Sequence, residues 1–103
     1  MTNRPLAFIC SPYAGDIEKN VARARELCRL AVDDGYTPIA PHLLYPQFLS
    51  EETERNLGIE MGLQWLEFCH IMYVAGSCSI SAGMQRELTH AKRFDVVERW
   101  VGR

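Results

Sequence analysis

The 103-residue sequence predicts an α/β fold, a three-layer α/β/α sandwich around a mainly parallel sheet of four to five strands. Short and almost wholly apolar runs, such as Pro5–Cys10 and Ile71–Ala75, are typical of parallel strands that are covered on both faces. Longer segments with apolar residues at helical spacing separate these runs. Strands that alternate with helices in this way call for right-handed crossovers, which gives a flavodoxin- or Rossmann-like arrangement.

The turn and the first helix follow the first apolar run. Residues 11–16 supply turn chemistry, and Asp16 is a natural N-cap. Apolar residues then recur at helical spacing over positions 17–31, and Gly35 is expected to end the helix. The next strand is predicted at Tyr36–Pro41, where Pro38 and Pro41 limit it to an edge position or a short span.

Residues 42–49 are unusually apolar and aromatic for a loop, which indicates a lid or a subunit contact. An exposed apolar patch on a small domain is expected from Leu43, Leu44, Tyr45 and Phe48, with Trp65 as a further candidate, so a homodimer or larger homo-oligomer is expected. The remaining predicted elements are a helix from the polar residues 50–54 to about His70, a strand at Ile71–Ala75, a helix capped by Ser81 and a last strand at Val96–Trp100.

Length and charge exclude several classes of protein. A chain of 103 residues with 48% hydrophobic residues suits one domain, spanning residues 1–103, with one modest core. Its 11 basic and 13 acidic residues do not form runs of one sign, so no nucleic-acid polymer is expected as a partner. No window approaches the ~20 apolar residues of a membrane helix, and the first five residues lack a signal-peptide pattern. We therefore expect a cytoplasmic protein without a membrane partner.

The four cysteines, Cys10, Cys28, Cys69 and Cys78, are widely spaced and none belongs to a C-x-x-C pair. Their apolar surroundings favour buried free thiols over a disulfide or a zinc site. The three histidines lack a spacing that would join them to these cysteines as tetrahedral ligands. No metal and no cofactor is expected.

Ligands of open α/β sheets bind at the carboxyl ends of the strands, near the point where the strand order reverses. The loops at Ser11–Asp16 and Gly76–Gly83 should therefore flank the site. Glu87 stands one residue before the predicted core position Leu88, at the border of the buried stripe of its helix. A partly desolvated carboxylate there suits a nucleophile or a general base, while a solvated helical glutamate is the alternative interpretation.

Two loops contain further candidates. Tyr13 lies beside Ser11 and Gly15, where its phenol could orient a carboxylate or stack near a sugar, or only pack in the turn. The second loop offers hydroxyls and free N–H groups ahead of a helix, which suits a phosphate or a hydroxyl-rich ligand. Its residues are Gly76, Ser77, Ser79, Ser81 and Gly83, and they form neither a Walker A nor a G-x-G-x-x-G motif.

Three segments, Phe8–Tyr13, Pro41–His42 and Ser79–Glu87, resemble the nucleoside 2-deoxyribosyltransferase superfamily, which includes the 2′-deoxynucleoside 5′-phosphate N-hydrolases. The resemblance covers nearly the whole chain and is nearest to a group of small bacterial and phage proteins. It implies that Glu87 is the nucleophile and that Tyr13 orients it. The substrate contacts that it implies are Ser11, Gly15, Asp16, His42, Ser79, Ser81 and Gly83.

The chain departs from this pattern at Gly62, where active relatives carry an aspartate that acts in acid/base steps. The favoured function is cleavage of a nucleoside or nucleotide N-glycosidic bond, or deoxyribosyl transfer, through a glutamate nucleophile. The alternative, which Gly62 favours, is a non-catalytic module that senses or sequesters a nucleotide. A third hypothesis for the function is a small assembly or interaction protein.

Overall fold

A computed structural model of the chain describes residues 3–76 and 79–102. The elements in chain order are β1 (Leu6–Cys10), α1 (Ile17–Asp33), β2 (Thr37–Ile39), α2 (Pro41–Leu44), a 3₁₀ helix (Tyr45–Gln47), α3 (Arg55–Leu66), β3 (Ile71–Ala75), α4 (Ala82–Arg93) and β4 (Val97–Val101). Strands and helices alternate as predicted, and the α/β fold class is confirmed.

The four strands form one sheet in the order β2-β1-β3-β4, and every neighbouring pair is parallel. Phe8 of β1 lies opposite Ile39 on one side and Met72 on the other. The predicted edge position of the second strand is confirmed, because β2 ends the sheet. Pro38 within β2 has no N–H to donate, which suits a short strand with one free side.

Helices cover both faces of the sheet. On one face α1 buries Leu27 and Ala31 against Ala7, Ile9 and Tyr73. On the other face α3 and α4 bury Leu66, Met84 and Leu88 against Phe8, Met72 and Val74. The loop after β1 thus enters a helix on one face, and the loop after the neighbouring strand β3 enters a helix on the opposite face. A crevice opens where such loops diverge, at the carboxyl ends of β1 and β3.

Two predicted helix caps are present. The Asp16 carboxylate accepts a hydrogen bond from the Lys19 backbone N–H at 3.2 Å, and the Ser81 hydroxyl accepts one from the Met84 N–H at 3.1 Å. Each satisfies a donor that the first turn of a helix leaves without a partner. These caps fix where α1 and α4 begin, and therefore where the crevice lies.

The segment after β2 differs from its prediction as a loop, because α2 and the 3₁₀ helix occupy most of it. Pro41 starts α2, a position where its fixed φ and missing N–H are favourable. The third helix begins at Arg55 and not within residues 50–54. Those five residues form a turn closed by the Glu54 N–H, which donates to the Ser50 carbonyl at 2.8 Å, and by the Glu54 carboxylate, which accepts from the Ser50 N–H at 2.9 Å.

The end of α3 and the start of the last strand also differ from their predictions, and in both places backbone hydrogen bonds set the boundary. Helix α3 ends at Leu66 and not near His70, because the His70 N–H already donates to the Leu6 carbonyl at 2.9 Å at the start of the sheet. The last strand starts at Val97, since the Val96 N–H closes the end of α4 by donating to the Ala91 carbonyl at 2.9 Å.

A polar cluster ties the edge strand β4 to the end of α1. The Tyr73 hydroxyl donates to the Asp34 carboxylate at 2.7 Å, and the Arg99 guanidinium pairs with the same carboxylate. Hydrogen bonds from Tyr73 and the neighbouring Arg99 charge hold the pKa of Asp34 below its usual range. The cluster fixes the outer strand from the α1 side of the sheet.

Candidate functional site

A cavity opens at the carboxyl ends of the strands, on the face covered by α3 and α4. Its wall comes from the loop after β1 (Ser11, Tyr13), from α2 and the 3₁₀ helix (Pro41, His42, Tyr45, Pro46), from the turn before α3 and its first turns (Glu51, Arg55, Gly58, Ile59) and from the start of α4 (Ser81, Gly83, Met84, Glu87). Segments distant in sequence thus meet around one concave, partly polar surface, as ligand sites require.

The structure brings together six of the nine residues predicted for the site. Glu87, Tyr13, Ser11, His42, Ser81 and Gly83 all line the cavity. Gly15, Asp16 and Ser79 do not: Gly15 has a positive φ of 97° in the turn, the Asp16 side chain caps α1, and Ser79 is exposed. Ser77 and Cys78 lie outside the described residues. The chemical roles of the six residues stay predictions.

Glu87 is partly buried in the cavity wall. Burial raises the pKa of its carboxyl to about 8, an effect that a hydrogen bond from the Cys10 thiol and the charge of Arg86 partly offset. The Cys10 thiol also lies 4.0 Å from the Met84 carbonyl oxygen, to which it can donate. The orienting role of Tyr13 stays a prediction. Cys10 is the last residue of β1 and is fully buried, where the sequence indicated only a buried thiol.

Ser11 and His42 form a pair that the sequence did not join. Ser11 Oγ and His42 Nε2 lie 2.7 Å apart and share a hydrogen bond, with the donor set by the histidine tautomer. Ser11 is buried, and burial lowers the pKa of His42 to about 4. The imidazole is therefore neutral at physiological pH, with one nitrogen that can donate and one that can accept.

Several cavity residues were missed by the sequence interpretation. Tyr45 was predicted to lie in a lid or a subunit contact, yet it forms part of the wall, and its hydroxyl accepts a hydrogen bond from Trp65 Nε1 at 2.9 Å. Arg55 places a positive charge on the wall at the first residue of α3. No local sequence signal marked either residue, because hydrophobic periodicity does not show which end of a helix lies at the carboxyl ends of the strands.

Gly62 is buried and does not line the cavity. A Cβ atom there would lie 3.2 Å from Cγ and 3.3 Å from Cβ of Pro41, and 3.9 Å from Phe8 Cζ. The position therefore faces the proline ring and the core, and a larger side chain would have to displace Pro41.

The raised pKa of Glu87 predicts a dependence of stability on pH. Between about pH 4.5 and 8 the folded protein holds a proton on Glu87 that the unfolded chain releases, so the free energy of unfolding falls as the pH rises through this window. Glu87→Gln removes this fall. The variant should match the parent near pH 4 and exceed it by about 1–3 kcal/mol at pH 8.5, a range reduced for partial exposure.

Urea denaturation across this pH range measures the difference. Glu60→Gln, at an exposed position of α3, is the matched control and should show the same pH dependence as the parent. A constant difference between Glu87→Gln and the parent at all pH values would contradict the proton assignment.

Within the described ranges no three His, Cys, Asp or Glu side chains are grouped so that they could hold a metal ion. In the part of the chain that the structure describes, Cys10, Cys28 and Cys69 form no disulfide. None of the helices in residues 3–76 and 79–102 combines the length and the apolar character needed to cross a membrane.

Comparison with known proteins adds a family and a fold. A family model described as a domain of unknown function (DUF7768) matches residues 5–100, whereas no curated protein matches the sequence. A 2-deoxyribosyltransferase from Leishmania mexicana superposes with a TM-score of 0.65 at 17% identity, over 93% of this chain and 63% of that one. A 2-deoxyribosyltransferase from Bacillus psychrosaccharolyticus superposes with a TM-score of 0.64 at 21% identity, over 92% of this chain and 70% of that one.

The chain thus spans less than two thirds of the Leishmania enzyme. At these identities the superpositions show a shared fold, which supports the resemblance to the deoxyribosyltransferase superfamily at the level of fold.

Proposed function

Because the chain belongs to the family of the domain of unknown function DUF7768, its activity has to be inferred from the cavity, and we propose that it breaks the N-glycosidic bond of a nucleoside or nucleotide. One observation carries the proposal: a partly buried carboxylate, Glu87, lines a cavity at the carboxyl ends of the strands. The sheet around it has the fold of 2-deoxyribosyltransferases.

In the proposed reaction a carboxylate oxygen of Glu87 attacks C1′ of the sugar as the base departs. This gives a covalent glycosyl ester, which water or a second base then releases. The sequence of steps is that of retaining glycosidases, in which one carboxylate forms and then loses the bond to the sugar. A nucleophile of this kind must lie in a site that holds the sugar against it, and the place of Glu87 in the cavity wall supports this role.

The cavity wall offers contacts for each part of such a substrate. The Ser81 hydroxyl accepts a hydrogen bond from the Met84 N–H and still has its own proton to donate to a sugar oxygen. The rings of Tyr13 and Tyr45 provide surfaces on which a base can stack. Arg55 supplies a positive charge that would favour a substrate with a 5′-phosphate.

The direct test is to incubate the purified protein with deoxynucleosides, ribonucleosides and their 5′-monophosphates, with and without a second free base. Chromatography of the products should show release of the base, or its exchange where a second base is present. Absence of both with every substrate would contradict the proposal.

A nucleotide-binding module without catalysis is the second candidate. The observation that favours it is Gly62, which has no side chain to assist proton transfer and whose place beside Pro41 leaves little room for one. Thermal unfolding with the same ligands separates the two, because a ligand that binds only the folded state raises the Tm. A raised Tm with no release of base would favour the binding module.

We also propose that the chain forms a homodimer through an apolar surface beside the cavity. The exposed apolar side chains there are Leu44, Phe48, Leu57, Trp65 and Phe68, and Phe48 and Phe68 are 65% and 67% exposed. Leu43 and Tyr45, predicted to be exposed, are half-buried. So many exposed apolar side chains on a small domain favour self-association.

Sedimentation velocity at micromolar concentration should show the dimer, and Phe48→Glu should shift it toward the monomer. Ile17→Glu, at the exposed start of α1 on another side of the molecule, is the control and should leave the association unchanged. A parent protein that sediments as a monomer at this concentration would contradict the proposal.

A further inference from the structure

Consecutive residues at the end of β1 hold two titratable side chains of the cavity. Cys10 interacts with the Glu87 carboxyl, which lowers the pKa of that carboxyl, and its thiol lies 4.0 Å from the Met84 carbonyl oxygen in the same helix. The Ser11 hydroxyl shares a hydrogen bond with His42 Nε2 at 2.7 Å. Cys10, the last residue of β1, and Ser11, which follows it, are both buried. Glu87 and His42 thus line one cavity and contact consecutive residues of the chain.

We propose that His42 carries a proton from Glu87 to the departing base, and returns one to Glu87 when water enters. This inference rests on the proposed function, since it concerns the same cavity and the same reaction. It makes Glu87 both the nucleophile and the store of the proton that the base needs. Ser11 is a positioning residue in this scheme, because it fixes the imidazole ring.

The two half-reactions balance without an external acid. In the first, Glu87 bonds to C1′, the C1′–N bond breaks with its electron pair on the base, and the proton of the Glu87 carboxyl reaches the base through His42. In the second, a water oxygen bonds to C1′ and the glycosyl ester breaks. The water proton then returns through His42 to the Glu87 carboxylate.

His42 is the cavity group best suited to this transfer. The other titratable or charged side chains that line the cavity are Tyr13, Tyr45, Glu51 and Arg55. The Tyr45 hydroxyl already accepts a hydrogen bond from Trp65 Nε1, an arginine does not give up its proton in proteins, and Glu51 is exposed to solvent. In the tautomer whose Nε2–H donates to Ser11 Oγ, the imidazole Nδ1 is left to accept a proton and then to donate it.

The ionisation of the two groups agrees with this assignment. Burial raises the pKa of Glu87 to about 8 and lowers that of His42 to about 4. At neutral pH the proton therefore rests on Glu87, and the imidazole is free to accept it. The rate of base release by the parent should consequently fall as the pH rises through about 8, where Glu87 loses this proton.

The test compares two leaving groups in single-turnover experiments. A deoxynucleoside at neutral pH needs a proton on its departing base, whereas 4-nitrophenyl 2-deoxyriboside releases nitrophenolate, which needs none. The second substrate is measured at about pH 9, where Glu87 has already lost its proton and no proton has to leave it. His42→Gln should lower the rate with the deoxynucleoside by about 10²–10⁴-fold, and the rate of nitrophenolate release by less than about 10-fold. His70→Gln, at an exposed histidine before β3, is the matched control and should change neither rate.

The outcomes separate this inference from the proposed function. If the parent cleaves neither substrate, both fail together. If the parent releases the base and His42→Gln does so equally well, or loses both rates to the same extent, only the inference is overturned. If circular dichroism shows that His42→Gln does not fold, Ser11→Ala replaces it, and the same selective loss supports the inference while an unchanged ratio of the two rates overturns it.

Discussion

Glu87→Gln should abolish the release of base, with a loss on the order of 10⁴-fold or more, as is typical when a covalent nucleophile is removed. An amide cannot form the ester with C1′, although it keeps nearly the shape of the carboxyl group. Because Glu87 borders the core without filling it, the variant should fold. Single-turnover release of base, measured by chromatography alongside circular dichroism, gives both results.

The control for this prediction is Glu60→Gln, which removes a carboxylate from the exposed side of α3. It should release base at the rate of the parent. Equal rates for Glu87→Gln and the parent would remove Glu87 from the mechanism. Tighter binding of a nucleotide by Glu87→Gln together with its loss of turnover would show that only the chemical step is affected.

Gly62→Asp should destabilise the protein by roughly 2–4 kcal/mol and should not raise the rate of base release. The new Cβ atom would lie 3.2–3.3 Å from the ring of Pro41, so the start of α2 must move. The carboxylate beyond it would then lie near Phe8, which is fully buried. A gain in acid/base chemistry therefore requires a displacement that also disturbs the neighbouring His42.

Urea denaturation of Gly62→Asp and Gly62→Ala measures this cost. Gly58→Ala is the matched control for stability on the same helix, because its Cβ would make an ordinary contact of 3.6 Å with Leu49. Helix propensity alone then predicts a gain of up to about 1 kcal/mol for Gly58→Ala. A Gly62→Asp variant that is as stable as the parent and releases base faster would contradict this prediction. It would show that the contact with Pro41 does not prevent a side chain at position 62.

Local chemistry explains which parts of the fold could be predicted from the sequence. Apolar runs mark β1 and β3, Pro38 predicts the edge strand, and Asp16 and Ser81 mark helix starts that the structure confirms. Each of these signals comes from a few adjacent residues, because backbone hydrogen bonding and φ preferences act over that range.

The cavity was less predictable because its contacts join residues that are distant in sequence. Its nucleophile candidate and Tyr13 follow from the family pattern, but nothing in the spacing of Ser11 and His42, or of Cys10 and Glu87, indicates that they touch. Residues 42–54 combine apolar and acidic residues without one periodicity, so the short helices there and the later start of α3 were missed. Only the packing of that segment against the sheet decides its conformation.

The order β2-β1-β3-β4 also constrains how the chain can be completed on the ribosome. Of the four strands of this sheet, the central strand β1 is synthesised before the others, and its partner β3 emerges only after α1, β2, α2 and α3. Until β3 has emerged, one edge of the apolar strand β1 has no strand to pair with. The cavity is incomplete for longer, because α4 follows β3 in the chain. A nascent chain that stalls before α4 should therefore expose Phe8, Met72 and Val74 and bind holdase chaperones, since those residues pack against α3 and α4 in the finished protein.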